Sequence, residues 1–176
     1  KEKIIFVGND GNRDFELLIQ IAQKLPHIQF TFVSNVELIN KLNLDNVTVL
    51  GTGWGKEELT DEDLKQQYLD SRITILPLKE SLQPSGQSVA LQSMSLGTPV
   101  LISETEGFWD KDQFKDNLDI FFVKENSLDG WVKRINEVYG EFDLLEKVSK
   151  NSKNIVNLEL NLNKFNKKVR KIIKLG

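Results

Sequence analysis

Residues Leu78 to Ser103 read LKESLQPSGQSVALQSMSLGTPVLIS, and their order fixes the kind of fold the chain can adopt. The stretch follows a β-branched run, Arg72 to Leu76, that stops at Pro77, and it closes on a second apolar run, Pro99 to Ser103. Between the two lies a loop of small and polar residues up to Ser85, then a segment of helix length from about Gly86 to Leu96. Gly97 stands where such a helix would end in the left-handed conformation. Strand, loop, helix, glycine and strand in this order describe one unit of a parallel α/β sheet. The turn Pro84-Ser85-Gly86-Gln87-Ser88 leaves a strand and opens a helix, so it presents backbone amides at the positive end of a helix dipole. The amides of Gly86, Gln87 and Ser88, with the Ser88 hydroxyl, suit a diphosphate. The plainer alternative is that Ser85 is simply an N-cap.

The same alternation extends outward in both directions. Lys3 to Val7 reads as a first strand, followed by Gly8-Asn9-Asp10-Gly11-Asn12 and a helix with Phe15, Leu18, Ala22 and Leu25 on one face, closed by Pro26. Ile28 to Val33 is a second strand. Ser34 or Asn35 can cap the short helix after it, which carries Leu38, Ile39 and Leu42. Val47 to Leu50 is a third strand, and Thr60-Asp61-Glu62-Asp63 has the form of a capping box opening a helix toward Asp70. The fourth and fifth strands flank the opening motif, and Ile120 to Val123 is a sixth. Leu128, Trp131, Val132, Ile135 and Val138 recur at helical spacing, as do Phe142, Leu145 and Val148, and Phe165, Val169 and Ile172 mark a last helix. The pattern predicts one α/β domain over residues 1–176: a Rossmann-like, doubly wound parallel sheet of about six strands with helices on both faces. Such folds bind ligands outside the carboxyl ends of the strands, where the strand order reverses. Gly8 to Arg13 and Pro77 to Ser88 both lie at carboxyl ends and can face each other.

Composition narrows the functional classes. Hydrophobic residues make up 39% and charged residues 28% of the 176, a globular balance, and the longest apolar runs are strand-length. The net charge of −3 gives the molecule as a whole no bias toward nucleic acid, so any anion must be held locally. With no cysteine, disulfides and thiolate metal sites are excluded, and a cytoplasmic location is expected. The start at a lysine, on the approach to a strand, reads as a piece of a longer protein. His27, the only histidine, has no ligand partner at metal spacing, and Asp61 to Asp63 read as a cap rather than a metal site. Lys164, Lys167, Lys168, Arg170, Lys171 and Lys174 lie opposite Phe165, Val169, Ile172 and Ile173 with no acid among them. This end is expected to dock on its own domain or reach a partner domain, with a helix lying on a membrane surface as the alternative.

Two stretches resemble a known family. Gln92-Ser93-Met94-Ser95-Leu96-Gly97-Thr98-Pro99-Val100 is similar to the Glu-Ala-Met-Ala-x-Gly-x-Pro-Val helix of the retaining GT-B glycosyltransferases (group 1, family 4-like). Phe6-Val7-Gly8-Asn9-Asp10-Gly11-Asn12-Arg13-Asp14-Phe15 resembles the start of that family's carboxyl-terminal, donor-binding domain. The resemblance implies that the glycine-led helix start holds the donor's diphosphate and that the residue at Gln92 meets the nucleotide ribose. It also places Arg13 on the diphosphate, where a guanidinium offers a planar fork of donors. The bland reading of Arg13 is a solvated residue of the first helical turn. The family carries two glutamates separated by seven residues, whereas this chain has Pro84 and Gln92 there. A glutamine retains hydrogen bonds to a ribose hydroxyl, but proline replaces no carboxylate. Glu80 is either a sugar contact from the same loop or a solvated charge. By analogy the base lies over the ends of the second and third strands, near Ser34, Asn35, Leu50 and Gly51, with Gly8 and Asn9 in the first turn. Trp54 either stacks on the ligand or packs under its loop.

The implied activity is transfer of a sugar from a nucleoside diphosphate sugar, UDP- or GDP-linked, to a glycan, lipid or other acceptor. Arg13 and Glu80 are the implied catalytic residues, with retention at the anomeric carbon, no obligatory metal and no cofactor. An amino-terminal GT-B domain would supply the acceptor site, so the isolated domain is expected to be inactive alone, and the whole could lie peripherally on the inner face of a membrane. A non-catalytic binding module that has lost the glutamates is the alternative. A flavodoxin-like or receiver domain fits poorly, because no acidic cluster follows the first strand and no lysine ends a late one.

Overall fold

Six short runs rich in β-branched and aromatic residues pair side by side in a computed structural model of the chain, which describes residues 1–51 and 59–173 apart from the side chains of residues 168 and 172. The strands are β1 (Lys3–Val7), β2 (Gln29–Val33), β3 (Val47–Leu50), β4 (Ser71–Leu76), β5 (Val100–Ser103) and β6 (Phe121–Val123). Their order across the sheet is β3-β2-β1-β4-β5-β6, and every pairing is parallel. The helices are α1 (Phe15–Lys24), α2 (Glu37–Asn40), α3 (Asp61–Asp70), α4 (Gln87–Leu96), α5 (Leu128–Tyr139), α6 (Phe142–Glu159) and α7 (Leu162–Ile173). This is the expected Rossmann-like arrangement, and the strand ends differ from those read in the sequence by a single residue.

The two-residue period of a strand sorts the core. Ile4 and Phe6 of β1, with Phe30, Phe32, Ile73 and Ile75, meet Leu18 and Ile21 of α1 and Trp131, Ile135 and Val138 of α5. Ile5 and Val33 point the other way, onto Tyr68 of α3, while Leu76, Val100 and Ile102 meet Ala90 and Met94 of α4. Helices cover both faces of the sheet, so the threonines that alternate with apolar residues in β2 and β4, Thr31 and Thr74, are buried too.

Local signals act as their chemistry dictates, except at the start of α2 and at the last helix. Thr60 and Asp63 form the capping box reciprocally, and Gly97 ends α4 at φ 82°. The short α2 is not capped by Ser34 or Asn35. Its N-cap is Val36, because the Ser34 hydroxyl is engaged in donating to Asn9 Oδ1 (3.1 Å) while accepting from the Val36 amide (3.2 Å). Helix α6 runs for 18 residues, well past Val148, and reaches the second core cluster through Val156. The last helix does not dock on this domain: Leu162, Phe165 and Ile173 are 71%, 62% and 72% exposed.

One buried polar knot positions the loop after β4. Asn126 Oδ1 accepts from Ser103 Oγ (2.8 Å) and from Trp131 Nε1 (2.9 Å), while its Nδ2 donates to the Leu78 carbonyl (2.7 Å). Ser103 Oγ in turn accepts from the Leu78 amide at 2.9 Å. The loop is also pinned to the β5 end, where the Gly107 amide donates to the Ser81 carbonyl (2.9 Å).

Candidate functional site

Strands β1 and β4 are neighbours in the sheet, yet the chain leaves β1 toward β2 and leaves β4 toward β5, in opposite directions. A crevice therefore opens between the turns that follow them. The two turns are laced by backbone: the Asp14 amide donates to the Pro77 carbonyl (3.0 Å), the Lys79 amide to the Asn12 carbonyl (2.9 Å), and Arg13 and Leu78 form an isolated antiparallel bridge. The resulting cleft has a volume of about 560 Å³. One wall is Gly8 to Asp10, Asn12 and Arg13, the other Gln83 to Val89, and Val7, Val33 and Leu64 form an apolar floor.

Arg13 is the buried cation of this cleft, only 3% exposed, so it is not the solvated residue of a first helical turn. Its Nη1 donates to Ser85 Oγ at 2.7 Å, and its Nη2 lies 3.3 Å from Asp10 Oδ2. Ser85 Oγ donates to Asp10 Oδ1 at 3.3 Å, closing a triangle of arginine, serine and aspartate. Nε is buried without a hydrogen-bond partner among the described residues. Burial lowers the guanidinium's pKa, opposed by the Asp10 carboxylate and by Tyr68, and an arginine remains charged despite such a shift. Burial raises the pKa of the Tyr68 phenol, opposed by Arg13, so the phenol is protonated at neutral pH.

Gly86 makes the opposite wall. At φ 80° it is the N-cap of α4, in a conformation that suits glycine, and no side chain caps the helix. Ser85 is therefore not the cap; its hydroxyl belongs to Arg13 and Asp10. The first-turn amides, which have no acceptor within the helix, open at Gln87 and Ser88, both lining the cleft. A Cβ on Gly86 would lie 3.6 Å from Arg13 Nη1, so helix start and guanidinium meet across the absent side chain. An uncapped helix N-terminus beside a buried arginine is an arrangement for an anion with several oxygens.

The remaining candidates are distributed around this centre. Gly8 lies against Arg13, and Asn9 Oδ1 accepts from Ser34 Oγ and from the Asn35 amide (2.7 Å), tying the β1 turn to the end of β2. Asn35 and Leu50 sit at the ends of β2 and β3 but do not line the cleft; Leu50 packs against the cluster of Ile5, Val33 and Tyr68. Gln92 is exposed on α4 in a separate depression of about 240 Å³ beside Lys65, Tyr68 and Ser95, which shares Leu64 with the cleft. Glu80 lies outside the cleft lining, and its Oε1 accepts from the Glu106 amide (2.8 Å), bracing the two loops that follow β4 and β5. Trp54 lies outside the described residues. Sequence reasoning missed Asp10 and Tyr68: the first was legible as an acid three residues before Arg13, the second carried no local signal.

A family model described as glycosyl transferases group 1 matches residues 1–141. No curated protein sequence matches the chain significantly. Among solved structures, a glycosyltransferase from Rickettsia africae superposes with a TM-score of 0.76 at 19% identity, over 99% of this chain and 48% of its own. Sucrose-phosphate synthase from Thermosynechococcus elongatus gives 0.77 at 19% identity over 100% and 47%. Anabaena HepE in complex with UDP gives 0.78 at 15% identity over 99% and 49%. The chain thus spans about half the length of these structures, whose identities speak to the fold. With a family match extending across β1 to α5, the chain belongs to the glycosyl transferases group 1 family.

Proposed function

We propose that this domain is the donor-binding half of a GT-B glycosyltransferase, holding a nucleoside diphosphate sugar while the sugar passes to a glycan, lipid or other acceptor. The observation that carries this reading is the buried Arg13 guanidinium set against the uncapped start of α4 at the reversal of strand order. As the bond from sugar to diphosphate breaks, negative charge grows on the leaving oxygens. A guanidinium and oriented amides already in place stabilise that charge with little reorganisation. Retention, independence from a metal ion and a second domain that carries the acceptor belong to the same proposal. The UDP bound to HepE supports UDP as the first donor base to try. Gln92, one turn along α4 from Ser88 and beside the shared Leu64, is proposed to meet the ribose with a neutral hydrogen bond.

The test is a thermal-shift and calorimetric screen of the domain against UDP, GDP, ADP and their sugars. Stabilisation by at least one nucleoside diphosphate is expected, with the shift abolished by Arg13→Ala and by Gly86→Val. No stabilisation by any of them rejects the donor-site reading. Binding without turnover by the full-length protein, whichever donor is offered, would assign the chain to a non-catalytic module instead, which the replacement of both family glutamates favours.

A second reading concerns α7. Leu162, Phe165, Val169 and Ile173 fall within a stripe of about 80° by helical spacing. The polar remainder of the helix holds only cations and asparagine. We propose that α7 lies on an anionic membrane surface, the composition expected of an in-plane helix. None of the described helices is long and apolar enough to cross a membrane. Sedimentation with phosphatidylglycerol-containing vesicles but not with pure phosphatidylcholine, reversed by salt and by Phe165→Ser, is the expected result. Failure to bind either vesicle rejects it and leaves the stripe to a protein partner.

A further inference from the structure

Both terminal nitrogens of the Arg13 guanidinium, which lies at the centre of the cleft, already have a partner. Nη1 is held by Ser85, Nη2 by Asp10, and Nε is sealed from solvent. A diphosphate approaching this guanidinium therefore competes with the two partners already in contact. Resting on the donor-site reading above, we propose that Asp10 is an exchangeable counter-ion: its carboxylate neutralises Arg13 in the empty cleft and gives up Nη2 to the incoming diphosphate, so that Asp10 sets the affinity of the site for anions.

Three observations single out Asp10 rather than Ser85. The Asp10 side chain is 51% exposed, against 4% for that of Arg13, so its removal from the pair leads directly into water. Its neighbour Gly11 has no atom of the described residues within 4 Å of the position a Cβ would take, which leaves room for the turn to rearrange. Asp10 also lines the same cleft as the amides of α4, so a carboxylate left in place would stand beside the bound phosphates as a like charge. Ser85, by contrast, carries no charge, and its hydroxyl can turn from accepting an arginine proton to donating to a phosphate oxygen.

Exchange explains why a buried arginine tolerates an empty site: the pair is satisfied before the ligand arrives. It also raises the requirement on the ligand, since only an anion that outcompetes a carboxylate already in contact gains the guanidinium. A nucleoside without phosphates has nothing to exchange and should be indifferent to residue 10.

Asp10→Asn isolates the charge. Asp10 Oδ1 accepts from the Asn12 amide at 3.1 Å and from Ser85, and an asparagine carbonyl retains both bonds while removing the competition for Nη2. Asp10→Ser is a second variant that keeps a short acceptor for the turn. The experiment is calorimetric titration of the 176-residue chain and both variants with UDP, GDP, inorganic pyrophosphate and uridine, with thermal unfolding as the folding control. Both variants are expected to bind UDP or GDP, and pyrophosphate, roughly three- to tenfold more tightly than wild type, the range open to a half-exposed ion pair. Uridine binding should not change, and the gain should vanish when Arg13 is also alanine. Wild-type binding that Asp10→Asn leaves unchanged or weakens overturns the inference alone, and weakening shows that the carboxylate positions Arg13. Silence of wild type and both variants toward all four ligands overturns the donor-site reading, and this inference with it.

Discussion

Adding one methyl group at Gly8 should silence the cleft without unfolding the domain. An ideal Cβ there would sit 2.6 Å from Arg13 Nε, 3.1 Å from Cγ and 3.2 Å from Cδ. Atoms of this kind rest at about 3.5 Å, so the arginine must retreat by about 0.9 Å. The Nη1 to Ser85 Oγ bond starts at 2.7 Å, and a shift of that size along it reaches about 3.6 Å, past the range of a useful hydrogen bond. A hydrogen bond involving a charged group contributes about 1.5–3 kcal/mol, so displacing the guanidinium from its aim should weaken nucleoside diphosphate binding roughly ten- to hundredfold. Because Gly8 does not use a positive φ, alanine meets no backbone penalty, and the local crowding should cost about 1–2 kcal/mol, within what a domain tolerates. Gly11→Ala is the control within the same turn, since its Cβ would meet nothing of the described residues within 4 Å. Calorimetric titration with UDP and GDP, alongside thermal unfolding, reads both quantities. A folded Gly8→Ala protein that binds as tightly as Gly11→Ala would refute the placement of the diphosphate on Arg13.

Other perturbations probe the frame around that site. Tyr68→Phe removes a buried hydroxyl that has no hydrogen-bond partner among the described residues, so urea denaturation should show unchanged stability or a gain of up to about 1 kcal/mol; a clear loss would reveal a partner for the phenol. Asn126→Leu strands Ser103, Trp131 and the Leu78 carbonyl together, and should cost about 2–4 kcal/mol in the same assay; a neutral result would mean the knot carries no strain when cut. The Thr60 hydroxyl and amide hold the Asp63 pKa below the ordinary carboxylate value. Its contribution is therefore complete above the unfolded pKa of about 4 and is lost as pH falls through the lower folded value. Asp63→Asn should flatten the acid limb of the stability curve, and an unaltered limb would count against the capping box as its source.

Most of the sheet was legible because its strands are short β-branched and aromatic runs separated by turn residues, as at Pro77 and Gly97. What escaped depended on partners far away in sequence. The run of α6 beyond Val148 left a weaker signal because a buried serine, Ser152, interrupts its apolar spacing, and hydrophobic periodicity does not register such a residue. Ser85 was open to reading as a cap because Ser before a helix usually is one; its hydroxyl is instead claimed by Arg13, 72 residues away. The Asn126 knot joins three elements and leaves no trace in any one of them. The expectation that α7 docks on its own domain rested on its apolar face, and amphipathicity tells that a face is to be covered without telling by what.

The lacing of the two turns bears on how the site comes into being. Its contacts join residues of the first turn to residues far along the chain, a long loop closure that topology makes slow and late relative to helix formation. A growing chain that has emerged only through β3 has the β1–β2–β3 half of the sheet in sequence but lacks the whole second wall. Ligand binding should therefore appear only once β4 has joined β1 and α4 has formed beyond it, which makes nucleotide capture a reporter of completed folding. Refolding followed at once by Trp131 fluorescence, with Trp54 and Trp109 replaced by phenylalanine, and by ligand binding would show the order of these two events.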